Sequence, residues 1–341
     1  MSEQNKPYIG GQAVLEGVMM RAPGCMSVAV RKPDGSIAIS EGPLPAKLNR
    51  FGKVPGLRGI FTLVESMTLG YRALNFSAEQ QLSEEEKKEL EGKGGGGAAW
   101  LSILFAIGLF IALPQFATAG AGTLFGIELD VHDWRFHAIR GGVKLLVFTL
   151  YLVFISQFKD VKRVFQYHGA EHKTIYAYEA GLELTVENVR KQSTLHPRCG
   201  TTFLIVVIFI SVVLGILVTP RVIPQGIPFW LGHVLNVGVY VALMPLIAAV
   251  SYELQRVSAR FFTKGPLRVF LWPGFLFQKI TTREPTDDQI EIAIAAMRTA
   301  MWREKAGEAV AAPAEPVYFP SFEGFLEGLP TLRSSGSASA S

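Results

Sequence analysis

Cysteine is scarce in this 341-residue chain, which contains only Cys25 and Cys199. Two cysteines permit one disulfide at most, so the chain is not one of the small secreted folds that depend on a framework of disulfide bonds. We expect no disulfide between them, because the charge distribution of the chain assigns both to the reducing, cytoplasmic side of a membrane. Each is then a free thiol, either buried or available to a metal ion.

Charged residues are missing from three long stretches of the chain. Residues 98–127, 201–220 and 222–252 contain none, and a shorter stretch, 141–158, contains only Lys144. About 20 apolar residues in a helix cross the hydrocarbon core, and a helix is required because lipid offers the backbone no hydrogen-bonding partners. The pattern predicts a mainly α protein, a polytopic bundle of four membrane-spanning helices. Four such stretches in one chain disfavour the alternative, a large soluble protein with buried helices.

Other sequence signals are absent, and each absence excludes a class of protein. Residues 1–40 lack the apolar core of a signal peptide, so we expect no cleaved leader. No RNP, zinc-finger or helix–turn–helix pattern occurs, and the basic residues behind the formal net charge of +4 flank the spans. This distribution favours a lipid bilayer as partner and disfavours nucleic acid. Ionisable pairs are missing from the middle of the spans, which argues against an ion-coupled transporter.

Lysine and arginine are distributed unevenly among the loops. The loop at 121–140 has only two of them, and the loop near residue 220 has Arg221 alone. Segment 159–200 contains seven: Lys159, Lys162, Arg163, Lys173, Arg190, Lys191 and Arg198. Loops rich in lysine and arginine stay in the cytoplasm. The counts therefore predict a multi-pass protein with both termini in the cytoplasm.

Two predicted units precede the membrane domain. In residues 1–55, apolar residues alternate on both sides of the turn at Asp34-Gly35, which predicts a small unit with a β-hairpin. Residues 56–97 are predicted to form an amphipathic helix and then a charged, glycine-rich linker. Three placements of the helix stay open: on the membrane surface, against the bundle, or against a soluble core.

Two further units follow the membrane domain, which is predicted to comprise residues 98–252. Residues 253–305 are predicted to contain an aromatic interfacial segment and then an amphipathic helix capped by Thr286. The tail at 306–341 is rich in alanine, proline and serine, and it is predicted to be disordered.

The segment between the second and third spans has a pattern typical of metal ligands. His168, Glu171 and His172 have the spacing H-x-x-E-H. On a helix, residues four apart lie on one face, so both imidazoles can reach one ion. Glu171 lies beside them and is the candidate catalytic residue, a general base that takes a proton from an attacking water molecule. The same spacing occurs in a class of zinc peptidases.

Two more candidate metal ligands, His196 and Cys199, follow at the start of the third span with the spacing H-x-x-C. Together with His168 and His172 they make four candidate ligands. Four bound ligands would form a closed, structural site, whereas three would leave a position for water or substrate. We expect a divalent metal, zinc first, because zinc prefers histidine and cysteine. The alternatives are solvated surface histidines and a buried cysteine without a metal.

Two basic residues lie close to these candidates in the sequence. Arg198 and Lys173 are expected to bind an anionic group of the substrate. Either of them could instead pair with Glu171 and hold the segment together.

Several motifs recur in the same order as in a known family. They are Gly10–Arg21 (GGQAVLEGVMMR), Leu57–Gly59, Leu63–Ser66, Tyr167–Lys173, His196–Gly200 and Thr282–Pro285. Through them the chain resembles the YqhQ-like bacterial membrane proteins, a family of unknown function. The resemblance implies a multi-pass protein of the bacterial inner membrane, and members are sometimes labelled metal-dependent enzymes. It implies no particular reaction and no role for the first motif.

These patterns favour a membrane-embedded, metal-dependent enzyme, a hydrolase with its site on the cytoplasmic segment. His168 and His172 are its predicted ligands, with His196 or Cys199 as the third. The alternative is a non-catalytic scaffold or assembly factor with a structural metal site. The substrate stays open, and so does the formation of a homo-oligomer.

Overall fold

The computed structural model describes residues 6–44, 58–83, 85–86, 96–127, 129–261, 272–307 and 311–328. Most of the predicted linker before residue 97 lies outside these ranges, as does the last part of the predicted tail. The strands are β1 (Gly10–Val14), β2 (Gly17–Arg21), β3 (Cys25–Arg31), β4 (Ile37–Pro43) and β5 (Val317–Phe319).

Eleven helices are described, and they include the four segments that can span the membrane. They are α1 (Arg58–Gln81), α2 (Gly96–Ile107), α3 (Leu113–Leu124), α4 (Trp134–Ile155), α5 (Lys159–Glu179), α6 (Val186–Arg190), α7 (Gly200–Val222), α8 (Phe229–Phe261), α9 (Trp272–Thr281), α10 (Asp287–Ala306) and α11 (Phe322–Gly328). A π-helical turn, Gly108–Ala112, joins α2 to α3.

Four helical segments are long and apolar enough to cross a membrane: Trp100–Leu124, Trp134–Ile155, Gly200–Val222 and Phe229–Val257. They confirm the predicted mainly α architecture with four spans. At most 33% of the most apolar part of any span is buried within the chain, so most of each apolar surface is left for lipid.

Polar residues of the spans face one another inside the bundle. The second span begins before the predicted residue 141, because Asp133 caps α4 by accepting from its backbone. This start places Arg140 within the helix and buries it. Its guanidinium donates to Gln115 Oε1 at 3.3 Å and lies over the Tyr240 ring, 3.4 Å from the centroid. Gln115 Nε2 also lies 2.8 Å from His233 Nδ1, so three spans contribute side chains to one polar cluster.

The predicted β-hairpin is confirmed as β3 and β4, joined through Gly35, whose φ of +86° suits a tight turn. Strands β1 to β5 form one antiparallel sheet in chain order. Because β5 pairs with β4, the prediction of a disordered tail was wrong for residues 317–328. Phe319 and Phe325 join the core under the sheet, and burial of these two rings outweighs the polar composition around them.

The five-stranded sheet, α5, α6, α10 and α11 share one core outside the spans and form a soluble layer, with α10 at its centre. It begins where Thr286 and Gln289 form a capping box, which confirms the predicted cap. Residues 292–297 are fully buried against the sheet and α5. The predicted boundaries at residues 55 and 253 therefore do not separate independent structural units. Strands β1 to β4 of the first predicted unit and helix α10 of the later one share one core.

Helix α1 connects the membrane bundle with the soluble layer. Near its start, a β-carbon on Gly59 would lie 2.9 Å from Ala249 Cα of α8, and Arg58 pairs with Glu253 of the same helix. Farther along, Leu69 packs into an apolar cluster with the inner strands. Of the three placements that its pattern allows, α1 therefore adopts two, against the bundle and against a soluble core.

Helix α9 corresponds to the predicted interfacial segment, and it lies across the start of α7. A β-carbon on Gly274 would be 2.5 Å from Thr202 Oγ1. Phe277 packs on Phe148 of α4 with a centroid distance of 5.6 Å. These contacts bring the end of α9, Thr281, to the face of α5.

Candidate functional site

Three candidate ligands meet between α5 and the start of α7. Ligand atoms of His168, His172 and Cys199 all lie within 4.8 Å of one another. The two imidazole centroids are 4.4 Å apart, and Cys199 Sγ lies 3.3 Å from His168 Nε2. Among the described residues, no other group of three or more His, Cys, Asp or Glu side chains has this geometry.

Backbone carbonyl groups orient both imidazole rings. His168 Nδ1 lies 2.8 Å from Thr281 O, and His172 Nδ1 lies 2.5 Å from Thr194 O. Because a carbonyl can only accept, each Nδ1 carries a proton and donates it, which leaves a free lone pair on each Nε2. A carbonyl on the second ring nitrogen fixes the tautomer of metal-binding histidines in this way.

Gly169 allows residues 281–285 to lie directly against α5. A β-carbon on Gly169 would be only 2.1 Å from Arg283 O. Arg283 N donates to Phe165 O at 2.9 Å, so this segment follows the helix and presents Thr281 O to His168. The glycine of the H-G-A-E-H sequence is therefore a packing requirement.

Gln278 of α9 holds the turn that carries Cys199. Its side-chain amide accepts from His196 N and donates to His196 O, both at 2.8 Å. Cys199 is the N-cap residue of α7, so its thiol lies at the positive end of the helix dipole. The position of the thiol is thus fixed by the turn that Gln278 holds, which precedes Cys199, and by the membrane-spanning helix α7, which follows it.

Glu171 lies beside the two histidines and is only 5% exposed. Its Oε2 is 4.0 Å from His168 Nε2. Burial raises the pKa of the Glu171 carboxyl group, and the neighbouring His168 opposes that shift. Gly11 of β1 makes room for the side chain, because a β-carbon there would lie 2.7 Å from Glu171 Cγ. The motif GGQAVLEGVMMR therefore closes the site from the side of the sheet.

His196 does not join the group of three. Its ring packs against His172 and Tyr176, with centroid distances of 5.7 Å and 4.6 Å, and its Nε2 lies 3.5 Å from Glu179 Oε2. Burial lowers the pKa of His196 to about 4, so the ring is neutral at pH 7. Burial also lowers the pKa of His172, which keeps that imidazole in the neutral form that a metal ligand requires.

Neither basic residue considered as a partner of Glu171 pairs with it. Arg198 pairs with Glu179, and Lys173 pairs with Glu284 at 2.8 Å. Lys173 is buried and does not line the cavity beside the ligands, so its position does not suit substrate binding there. Arg198 does line that cavity.

The cavity beside the ligands has a volume of about 380 Å³. His168, Glu171 and Cys199 line one side, and residues 8–13 before and within β1 line the other. A small polar molecule, or the reactive end of a larger one, fits in this space.

Several residues that build the site have no signal in the sequence pattern. Thr194 and Thr281 act through their backbone carbonyls, which a side-chain motif cannot reveal. Gln278 is fully buried, and an amide in a short apolar segment is a signal that could have identified it. Gly11 belongs to a motif noted in the sequence, but its contact with Glu171 depends on the sheet.

The chain has relatives among known proteins. Residues 54–303 match the family model described as "Protein of unknown function (DUF1385)", a range that includes all three candidate ligands and Glu171. The chain is 36% identical over 302 residues to the "Uncharacterized protein YqhQ" of Bacillus subtilis (strain 168), which covers 84% of this chain and 90% of that protein. No solved structure matches it. The predicted resemblance is confirmed, and the chain belongs to the DUF1385 family of YqhQ-like proteins, whose function is unknown.

Proposed function

We propose that this protein is a membrane-embedded, metal-dependent enzyme, a hydrolase whose site lies in the soluble layer. The observation that carries the proposal is the orientation of two histidines. His168 and His172 donate Nδ1–H to backbone carbonyls, and the Nε2 of His168 lies 3.3 Å from Cys199 Sγ. Two imidazole nitrogens and a thiol sulfur suit zinc best, because zinc prefers nitrogen and sulfur ligands.

The number of ligands supports catalysis over a purely structural role. Structural zinc sites almost always have four protein ligands, whereas catalytic sites have three and an open position. His196, the fourth predicted ligand, has its Nε2 near Glu179 instead. Three ligands beside an accessible cavity leave room for a substrate.

The surrounding residues can carry out the proton transfers of hydrolysis. A divalent ion held by the three ligands would supply Lewis-acid polarisation of the substrate. Glu171 would accept the proton of the attacking water molecule and donate it to the leaving group. Its carboxylate lines the same cavity as the ligands. Arg198 would bind an anionic group of the substrate.

A second candidate function rests on the contact between Cys199 and His168. Cys199 Sγ lies 3.3 Å from His168 Nε2, and Thr281 O holds the other ring nitrogen. A nucleophile, a base and an orienting group in this order are the features of covalent catalysis. In this case His168 would take the thiol proton, Cys199 would attack an acyl carbonyl to form a thioester, and the leaving group would depart with the proton from His168. Water would then hydrolyse the thioester and restore the thiol, and no ion would be needed.

Metal analysis of the purified full-length protein separates the two functions. We expect about one zinc ion per wild-type chain and near-complete loss of zinc in His168→Ala and Cys199→Ala, because each variant removes one of only three ligands. His132→Ala, which changes a histidine outside the site, should keep its zinc. The measurement is inductively coupled plasma mass spectrometry on protein purified without a histidine tag.

Two results, one from the metal analysis and one from a thiol-labelling measurement, would count against a metal-dependent enzyme. Unchanged zinc in both ligand variants would exclude this site. Metal-free wild-type protein whose Cys199 reacts with iodoacetamide faster than in His168→Ala would favour the cysteine nucleophile.

We further propose that the soluble layer lies in the cytoplasm, beneath a bacterial inner membrane. Strands β1 to β5 belong to one sheet. The described parts near both ends of the chain therefore lie on the same side of the membrane, together with α5. The seven lysines and arginines of segment 159–200 belong to the same layer. The excess of positive charge supports the cytoplasmic assignment.

Reporter fusions test this orientation. Fusions after Asp130 and near Arg221 should give periplasmic signals, because both positions lie in loops with few lysines or arginines. Fusions at Glu183 and Ser341 should give cytoplasmic signals. Paired alkaline phosphatase and green fluorescent protein reporters provide the measurement, and a cytoplasmic signal at Asp130 would contradict this arrangement of the spans.

A further inference from the structure

A second, larger cavity lies next to the site. Its volume is about 780 Å³, and it forms where α1, the start of α7 and the end of α8 meet. Tyr8, Arg198 and Gly200 line both cavities. Gly200 is the first residue of the third span, and Arg256 is next to the last residue of the fourth. The larger cavity therefore lies at the depth where the spans leave the membrane.

The wall of this cavity combines apolar surface with positive charge. Leu63, Phe203 and Tyr252 supply the apolar part. Arg256 and Arg198, which also pairs with Glu179, supply two guanidinium groups. None of the described wall residues is acidic. Guanidinium groups bind phosphate through two parallel hydrogen bonds, so this wall complements a phosphate attached to an apolar body.

We propose that the larger cavity binds a membrane lipid with an anionic phosphate headgroup, and that such lipids are the substrate class of the adjacent site, an inference that rests on the proposed hydrolase function. Arg198 and Arg256 bind the phosphate, and Leu63 and Phe203 contact the first part of the acyl chains. Arg198 also lines the smaller cavity, so a headgroup bound by Arg198 borders the cavity that Glu171 lines.

The volumes and the depth favour a lipid over a soluble phosphate compound. Cavities that bind small molecules have volumes of about 300–1,000 Å³. The smaller cavity alone suits only the reacting end of a molecule, whereas the larger one accommodates a headgroup with its glycerol and the first methylene groups. A free phosphate would make no use of the apolar wall, whereas lipid acyl chains bury apolar surface against it.

Calorimetric titration of the full-length protein in a neutral detergent tests the proposal with three probes. Dioctanoyl phosphatidic acid has both the phosphate and the chains, dioctanoylglycerol has only the chains, and inorganic phosphate has neither chain nor glycerol. We expect phosphatidic acid to bind most tightly. Arg256→Gln should weaken it about tenfold, because it removes a charge-assisted contact. Lys159→Gln removes a positive charge on the same side of the membrane but outside the cavity, and it should bind phosphatidic acid like wild type.

Several outcomes would overturn the lipid site. Inorganic phosphate binding as tightly as phosphatidic acid would mean that the chains contribute nothing, and equal weakening by Arg256→Gln and Lys159→Gln would mean unspecific surface attraction. If Arg256→Gln does not accumulate, Ser66→Trp, which fills the cavity from α1, should block phosphatidic acid, and unchanged binding would refute the site.

The binding test is independent of the metal. Cys199 does not line the larger cavity, so Cys199→Ser should bind phosphatidic acid like wild type. Metal-free wild-type protein with intact lipid binding would refute the metal-dependent hydrolase and keep the lipid site. Metal-loaded protein without lipid binding would refute only the lipid substrate.

Discussion

We expect Glu171→Gln to keep its zinc and its abundance in the membrane but to lose turnover by at least about 100-fold, the contribution of a general acid–base residue. Glutamine has the shape of glutamate and fits beside Gly11, so the packing of α5 on the sheet is preserved. The amide cannot take a proton from water at neutral pH. The measurement compares lipid extracts from cells that lack the native gene and express either protein.

The experiment compares Glu171→Gln with the empty vector and with a control variant, Glu183→Gln. Lipid species removed by the wild-type protein should persist in Glu171→Gln cells at the level of the empty vector. Glu183→Gln changes an exposed carboxylate on the same segment and should behave as wild type. Full complementation by Glu171→Gln, with zinc still bound, would exclude the catalytic role and favour a scaffold with a structural metal site. Loss of zinc in this variant would instead identify Glu171 as a ligand or a structural residue.

Gly169→Ala should abolish metal binding at the proposed site almost completely. The new β-carbon would lie 2.1 Å from Arg283 O, so residues 281–285 would have to move away from α5. That movement takes Thr281 O from His168 Nδ1 and Glu284 from Lys173. We expect zinc content to fall to the level of His168→Ala, together with a loss of about 1–3 kcal/mol in the free energy of unfolding, the usual cost of overpacking.

A second glycine variant provides the matched control. Gly142 lies in helix α4, and apart from its chain neighbours and the nearby backbone of its own helix nothing lies within 4 Å of the position of its β-carbon, so Gly142→Ala should keep zinc and stability. Zinc content and thermal unfolding in detergent are measured for both variants. Equal zinc in Gly169→Ala and wild type would show that segment 281–285 does not orient His168.

Patterns of neighbouring residues predicted the spans, the hairpin and the helix cap, because each of these elements depends on residues close together in the sequence. The four spans follow from runs of apolar residues, and the hairpin follows from alternation around Asp34-Gly35. The capping box at Thr286 lies within one turn of helix. The predicted tail failed for the opposite reason: β5 forms only because β4, about 280 residues earlier in the chain, offers an edge to pair with.

The amino-acid sequence alone predicts the membrane spans and the shared helical face of His168 and His172, because both properties depend on neighbours within a few turns. The choice of Cys199 over His196, which faces Glu179, follows from packing between distant segments. That choice depends on Gln278, which clamps the turn before α7, and on Thr281, whose carbonyl reaches His168 because Gly169 has no side chain. These contacts join segments from distant parts of the chain, so no pattern of neighbouring residues reveals them.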